Sequence, residues 1–432
     1  MSAIPPQRPR LDFQKFWLGQ TVSNFGSSFS QFALPLLVYK LTGSALNLGL
    51  ASAATFLPYL LFGLLIGAWV DRVDRKRLMI GADVARALFT ALIPLLATLH
   101  LLTVWWIYGV TFVLSTLTIF FNTAEFAAIP SLADPDDLVT ANGRIQASYS
   151  AASIGGPLLA GVLVALLSLP TILLIDAASF LISALSLLLV GANFNTAPEE
   201  GRERTSVRQD MADGLRYVLG HPVLRNISAM MALVNLVGST IYAQLVLFAK
   251  HQLGASDPQV ALLYAAGSVG VVILSLAAGP LRKRWPFSKV ALGALMLEGL
   301  LTVAMAATRW YWAALILWAV GSGLGILFNI NTGSLRQAIV PNHMLGRVMS
   351  IAGVLAWSAI PVGTFLGGLL IQQLGLDRVA LVYGGIGVLT FLIPLCFSFT
   401  ALGHAERYLP PTKAPDAEQE AGRSEELEAA AL

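Results

Sequence analysis

Glu125, Asp176 and Glu298 each stand inside a long apolar run, and so do Asp83 and Arg86. A carboxylate is costly to keep charged in such surroundings, so it either meets a cation or exchanges a proton. The three acids are therefore candidate proton carriers, with a structural hydrogen-bonding role competing at Asp176. Asp83 and Arg86, three residues apart, share one helix face and most simply neutralise each other. Further polar residues recur at helical spacing: Gln20, Asn24, Ser27 and Gln31; Thr111, Ser115, Thr118, Asn122 and Glu125; Asn235, Ser239 and Tyr242; Trp318, Ser322, Asn329 and Thr332. One polar stripe on an otherwise apolar helix turns toward protein or water, away from lipid. Amides, hydroxyls and aromatic rings with few charges suit amphiphilic organic molecules best, although any one of these residues could instead tie two helices together. His-Glu-x-x-His, Gly-x-Ser-x-Gly, an intramembrane aspartyl pair and the Gly-x-x-x-x-Gly-Lys-Ser/Thr phosphate loop are all absent, which speaks against an enzyme or ATP drive. Cys396 is the single cysteine, so neither a disulfide nor a cysteine-based metal cluster can form, and no cofactor is expected.

The elements that position these residues follow from composition. With 56% hydrophobic and only 12% charged residues among 432, and a mean hydropathy of +0.72, polar material is too scarce to cover a soluble globule. Lipid must be the solvent for most of the surface. The net charge of +3 is dispersed between apolar segments, which excludes nucleic acid as a partner. Apolar runs long enough to cross a hydrocarbon core of roughly 30 Å fall near 16–39, 47–70, 78–99, 104–127, 141–167, 169–192, 226–249, 259–281, 289–307, 311–335, 345–374 and 379–402.

Basic residues gather in alternate connections: Arg72, Arg75, Lys76 and Arg77; Arg202, Arg204, Arg208, Arg216 and Arg225; Arg282, Lys283 and Arg284. The positive-inside rule then puts these loops and both termini in the cytoplasm of a cell inner membrane protein, with the basic start retained rather than cleaved. The order expected is an N-terminal bundle over 1–192, a linker over 193–225, a C-terminal bundle over 226–402 and a disordered acidic tail over 403–432. Within the linker, Val207, Met211, Leu215 and Val218 are spaced as an amphipathic helix along the membrane face.

The halves repeat in one orientation: Phe121-Asn122 matches Phe328-Asn329, Ala128-Ile129-Pro130 matches Ala338-Ile339 with Pro341, and Gly143-Arg144 matches Gly346-Arg347. An all-α membrane protein of twelve helices in two six-helix bundles is expected, the arrangement of the major facilitator superfamily. The stretch Gly67-Ala-Trp-Val-Asp71-Arg72-Val-Asp74-Arg75-Lys76-Arg77 resembles that superfamily's signature loop. A glycine permits close helix approach and an acid at a helix end can meet a dipole or an arginine, so Gly67, Asp71, Arg72, Arg75 and Arg77 are a candidate gating latch.

Gly155-Gly156-Pro157-Leu-Leu-Ala-Gly161 looks like the superfamily's antiporter motif, with Gly156, Pro157 and Gly161 as a hinge or seal. Asn122–Pro130, Asp176-Ala-Ala-Ser-Phe180, Gly214–Val218 with His221-Pro222, and Gly346–Ser350 are similar to the drug-efflux and siderophore-export branch, the transmembrane secretion effectors. The resemblance implies that the first, fourth, seventh and tenth helices line a substrate cavity. Gln20, Asn24, Gln31, Ser115, Thr118, Asn122, Asn235, Tyr242, Trp318 and Asn329 are its expected lining, completed by Tyr149 and Trp357. It further implies a monomeric secondary exporter of small amphiphiles driven by a proton gradient. A facilitator or importer on the same fold is the alternative, and an intramembrane enzyme or receptor a remote one.

Overall fold

The computed structural model describes residues 8–70, 73–132, 138–195 and 207–408, and these are almost wholly helical. In chain order the helices are α1 (Arg8–Thr42), α2 (Ala45–Val70), α3 (Arg75–Thr98), α4 (Val104–Leu132), α5 (Leu138–Leu166), α6 (Leu169–Leu189), α7 (Val207–Gly220), α8 (Pro222–Ala243), α9 (Leu245–His251), α10 (Asp257–Arg284), α11 (Gly293–Ala307), α12 (Tyr311–Ile339), α13 (Asn342–Trp357), α14 (Ala359–Leu374) and α15 (Val379–Ser398). Eleven spans among the described residues are long and apolar enough to cross a membrane. The twelfth is α1, whose 35 residues exceed the required length while its polar residues lower its hydropathy.

Local chemistry explains the ends and breaks. Gly43, at φ +58°, terminates α1 in a left-handed conformation that other residues resist, with its N–H bonded to the Tyr39 carbonyl at 2.8 Å. Ser256 and Gln259 form a reciprocal capping box that starts α10. The eleventh span, read from sequence as one helix, is broken between α13 and α14, because Pro361 has no N–H to give to the carbonyl of Trp357. The seventh span is likewise broken, at Gln244, between α8 and α9.

Helices α1 to α6 pack on one another, and α8 to α15 do the same. Where the halves meet is sharply localised. One apolar cluster runs through both, joining Phe32, Leu36 and Val38 of α1 to Leu245, Phe248, Val260 and Leu263 of α9 and α10. It lies at the end of the bundle away from the chain termini. At the terminal end each half keeps its own core, around Phe16, Met79 and Leu132 in one and around Ile227, Phe287 and Phe328 in the other.

The far end is also held by polar contacts. Gln244 is fully buried and donates to the Ala45 carbonyl across the halves at 2.7 Å, while its own Oε1 has no partner among the described residues. Lys40 of α1 pairs with Asp257 of α10, which also takes Lys250 at 2.6 Å. Gly161 presents its bare Cα to Ala261; a Cβ there would come within 2.9 Å of the alanine's. Further contacts across the halves, Ser44 with Gln372 and the ring pairs Phe32–Tyr264, Tyr39–His251 and Tyr59–Trp357, sit in this far region or at mid-depth.

On the terminal face, α7 packs through Val218 against Val340, Val348 and Ile351. Of the expected stripe, Leu215 is exposed, and the Val207 and Met211 side chains lie outside the described residues. Residues Ala401–Tyr408 form a packed turn with Leu402 and Ala405 buried, so the tail boundary expected at 403 falls inside a folded segment, held by Glu406 on the Phe287 N–H and on Arg282 at 3.5 Å. The stretch from 409 to 432 lies outside the described residues.

A Cβ at Gly156 would sit 2.2 Å from Ser28 Cβ, so Gly156→Val should lower thermal stability by roughly 1–3 kcal/mol through overpacking of α5 on α1, measured by fluorescence melting of the purified protein. His221, at the α7–α8 junction, meets the Tyr408 ring edge-on at 5.9 Å, and burial pushes its imidazole below the ordinary value. The folded form thus holds the proton less well than the unfolded one. The contribution of His221 to the docking of 401–408 should be fully present above pH about 6.5 and be lost as pH falls through the lowered value. Hydrogen exchange of that segment across roughly pH 5 to 8, the imidazole range, should show the loss, and His221→Gln should abolish it.

Candidate functional site

The N-terminal half contains a chain of buried polar groups linking several helices. Gln20 of α1 donates to Ser183 of α6 at 2.9 Å, and Ser183 donates to Asp83 of α3 at 2.6 Å. Asp83 also holds Arg86, as the three-residue spacing predicts. The Arg86 guanidinium lies between two rings, 4.2 Å from the centroid of Phe121 and 4.6 Å from that of Phe180. Cation–π contact together with the Asp83 carboxylate lets a charge persist there at depth.

Glu125 is 5% exposed and has no such cation of its own. Its Oε2 accepts from the Tyr149 hydroxyl at 2.8 Å, and its Oε1 is buried with no hydrogen-bond partner among the described residues. Asp176 is used differently. One of its oxygens accepts from Ser30 of α1 and the other from Ser179 at 3.2 Å, so its hydrogen bonds tie α6 to α1. Glu298 of α11 lies against Gly325 of α12, with Oε2 buried and unpartnered among the described residues.

The expected cavity residues divide into those that face open space and those that hold helices together. Gln31, Asn122, Tyr149, Tyr242, Asn329 and Trp357 are exposed, and Asn24, Ser115, Thr118 and Trp318 are partly so. Tyr242 is 56% exposed although its ring meets Tyr264 at 5.5 Å and Trp318 at 6.3 Å, which groups three aromatic side chains from α8, α10 and α12. Gln20, by contrast, is buried on Ser183, and Asn235 donates to the Ala356 carbonyl at 2.8 Å, pinning α8 to α13. Both amides are engaged in contacts between helices, with Asn235 half-exposed.

Within the latch motif, Asp71 and Arg72 lie outside the described residues, and Gly67 falls in α2. Arg75 donates to the carbonyls of Ala127 at 3.1 Å and Phe194 at 3.2 Å, both in its own half. Arg77 is surface-exposed, 3.4 Å from Asp74, whose carboxylate caps α3 through the Arg77 N–H. In the antiporter-like motif, Gly156 packs on Ser28 of α1 and Gly161 on Ala261 of the other half, with Pro157 buried between them.

Three residues of the site escaped the sequence reading. Tyr59 of α2 reaches across the halves to Trp357, ring centroids 6.0 Å apart, yet it is the lone tyrosine of an apolar helix and belongs to no stripe. Tyr264 was hidden for the same reason. Arg336 did carry a signal, a cation close to the tenth span: it is buried and gives Nη2 to Met231 Sδ at 3.1 Å, bridging α12 to α8.

Comparison with known proteins is consistent across sequence and structure. The family model described as transmembrane secretion effector matches residues 1–420. Macrolide efflux protein A of Streptococcus pyogenes is 29% identical over 392 residues, covering 87% of this chain and 93% of that protein. The multidrug efflux pump Tap of Mycolicibacterium fortuitum is 29% identical over 368 residues, covering 81% and 87%. Among solved structures, a bacterial homologue of the human lysosomal transporter Spinster, inward-facing and unoccupied, superposes with a TM-score of 0.71 at 14% identity, over 94% of this chain and 98% of that one. The nucleoside transporter NupG superposes with a TM-score of 0.72 at 13% identity, over 90% and 99%. These transporters share the two-bundle major facilitator fold laid out above, and with a family model spanning nearly its whole length, the chain belongs to the transmembrane secretion effector family.

Proposed function

We propose that this protein is a secondary exporter of small amphiphilic molecules, drug-like or siderophore-like, working by alternating access and proton antiport in the cell inner membrane. The observation that carries this reading is the lopsided junction of the halves: one shared core at the far end, separate cores at the terminal end. Two bodies joined at one end can rock about the seam between them, and closing the other end is the motion that alternating access needs. The basic loops favour the cytoplasm for the terminal end, which makes the conformation inward-facing, with both termini inside. The names of the efflux relatives support export of drugs as the direction. Residues 1–192 and 226–408 act as the two moving bodies, 193–225 as their linker and the chain beyond 408 as a cytoplasmic extension, and the protein works as a monomer.

Glu125 leads as proton carrier because one of its buried oxygens has no partner among the described residues, and Glu298 is second for the same reason in the other half. Asp176 has its hydrogen bonds filled and serves structure. The Gly67–Arg77 loop is the latch on the cytoplasmic face, anchored to the N-terminal half by Arg75 and completed by Asp71 and Arg72. Exposed Gln31, Asn122, Tyr242 and Asn329, together with Asn24, Ser115, Thr118 and Trp318, line the path.

Purified protein in liposomes with an imposed pH gradient should extrude macrolides and amphiphilic dyes, and collapsing the gradient should stop it. Glu125→Gln should cut gradient-driven extrusion on the order of tenfold or more, since a neutral amide cannot cycle a proton. Extrusion that is indifferent to the gradient, with the variant equal to the parent, would sink the coupling. Asp71→Asn should slow turnover several-fold, by roughly 1 kcal/mol of altered state balance, with an unchanged melting temperature; unaltered turnover would remove the latch.

A further inference from the structure

The corner where α10 turns into α11 carries charge that the fold does not use. Lys283 and Arg284 close α10, and Lys289 stands in the π-helical turn Ser288–Leu292 that leads into α11. All three are exposed, and none meets an acid among the described residues. Glu406, the acid that does reach this corner, is committed: it accepts from the Phe287 N–H and holds Arg282 at 3.5 Å, while Arg282 also donates to the Trp285 carbonyl at 3.1 Å. That clamp brings Arg407, also exposed, to the same place. The corresponding corner of the N-terminal half spends its cations on protein: Arg75 and Lys76 donate to the carbonyls of Ala127, Phe194 and Val190, and Arg77 pairs with Asp74. The positive-inside rule accounts for cations at both corners but not for this difference.

The flank of α10 that leads to this corner is apolar and uncovered. α10 packs on α12 through Gly267, Gly270 and Leu274, and its Tyr264 turns to the rings of Phe32 and Tyr242. On the side away from these contacts, Val269, Ile273, Leu276 and Pro280 follow one another at spacings of four, three and four residues, all exposed, and Lys283 continues the row. Leu276 is 77% exposed. Eleven residues of helix from Val269 to Pro280, at 1.5 Å each, extend about 16 Å, close to one leaflet of a hydrocarbon core of roughly 30 Å. Trp285, half exposed just beyond the cations, is the kind of ring that sits at headgroup level. An apolar row one leaflet long, ending in unpaired cations beside a tryptophan, matches a molecule with a hydrocarbon chain and an anionic head.

We propose that the α10–α11 corner is a binding site for an anionic phospholipid of the adjoining leaflet, with an acyl chain along 269–280 and the headgroup phosphate held by Lys283, Arg284 and Lys289, Arg407 standing at the rim. The phosphate supplies the counter-charge that this corner lacks and its N-terminal counterpart finds in protein. Because Glu406 ties 401–408 to the same connection, a lipid that binds the folded corner also stabilises the docking of that segment.

The test is a titration of dioleoyl phosphatidylglycerol into the full chain in a non-ionic detergent, with dioleoyl phosphatidylcholine as its neutral twin and bound lipid read by native mass spectrometry. Phosphatidylglycerol should bind more tightly than phosphatidylcholine by on the order of tenfold or more, and should raise the melting temperature further. Lys283→Gln, Arg284→Gln and Lys289→Gln should each weaken it by about fivefold, and the three together by on the order of a hundredfold. Arg216→Gln with Arg225→Gln, which removes two exposed cations elsewhere on the terminal face, should leave binding unchanged. Lys283→Arg with Lys289→Arg keeps the charge and should keep the lipid. sn-Glycerol 3-phosphate, a head without a chain, should not compete at concentrations where the lipid binds. Absence of a phosphatidylglycerol preference in the parent, as would follow if the acidic residues beyond 408 fill the corner, overturns the proposal. So does an equal loss in the Arg216 and Arg225 variant, or full competition by glycerol phosphate, which would mark a bare anion site. Should the triple variant fail to fold, the single variants and the charge-keeping pair decide the matter. None of these readouts involves transport, so the exporter reading and this site are judged separately.

Discussion

The structure depends on burying apolar surface between two six-helix halves at one end only. Lipid removes the usual hydrophobic drive for helix association, because acyl chains are as apolar as leucine, and what remains is close packing and interhelical hydrogen bonding. At the far end both are present: Gly161 and Ala261 in near contact, Gln244 on the Ala45 carbonyl, Lys40 on Asp257. At the terminal end the halves are internally complete, each around its own core. The interior of the seam is therefore available to polar and aromatic side chains that lipid would exclude.

Charge at depth obeys the same constraint. Arg86 is stabilised by Asp83 and two rings, and Asp176 by hydroxyl donors from two helices. Glu125 and Glu298 have no equivalent arrangement, and each leaves an oxygen unsatisfied among the described residues. Isolated acids of this kind cost stability, so their presence speaks for use rather than support. The two halves differ here: the N-terminal one pairs Asp83 with Arg86 at depth, whereas the C-terminal one keeps Glu298 and Arg336 apart on α11 and α12.

Much of this is legible in the sequence. Spans are written in composition, and ten of the twelve are continuous helices near the expected bounds; the eleventh is broken by Pro361, a residue whose missing N–H is visible in the chain, and the seventh at Gln244, where no proline or glycine marks the position. Asp83 and Arg86 are paired correctly by spacing alone. Polar stripes locate helices but not the rotation of each residue, which is why the hydrogen bonds of Gln20 to Ser183 and of Asn235 to the Ala356 carbonyl are seen only in the fold. Tyr59 does not stand out among the other aromatic residues of α2, Phe56, Phe62 and Trp69, and its importance arises only where it meets Trp357 from the other half.

Gln244 shows how firmly the far end is shut. Its amide donates one good hydrogen bond across the junction, yet its carbonyl oxygen is stranded in a dry interior without a partner among the described residues. An orphaned acceptor costs about 1–3 kcal/mol, and water entering on separation would remove that penalty at once. That oxygen therefore works against the closure it sits in, while the hydrogen bond to the Ala45 carbonyl works for it.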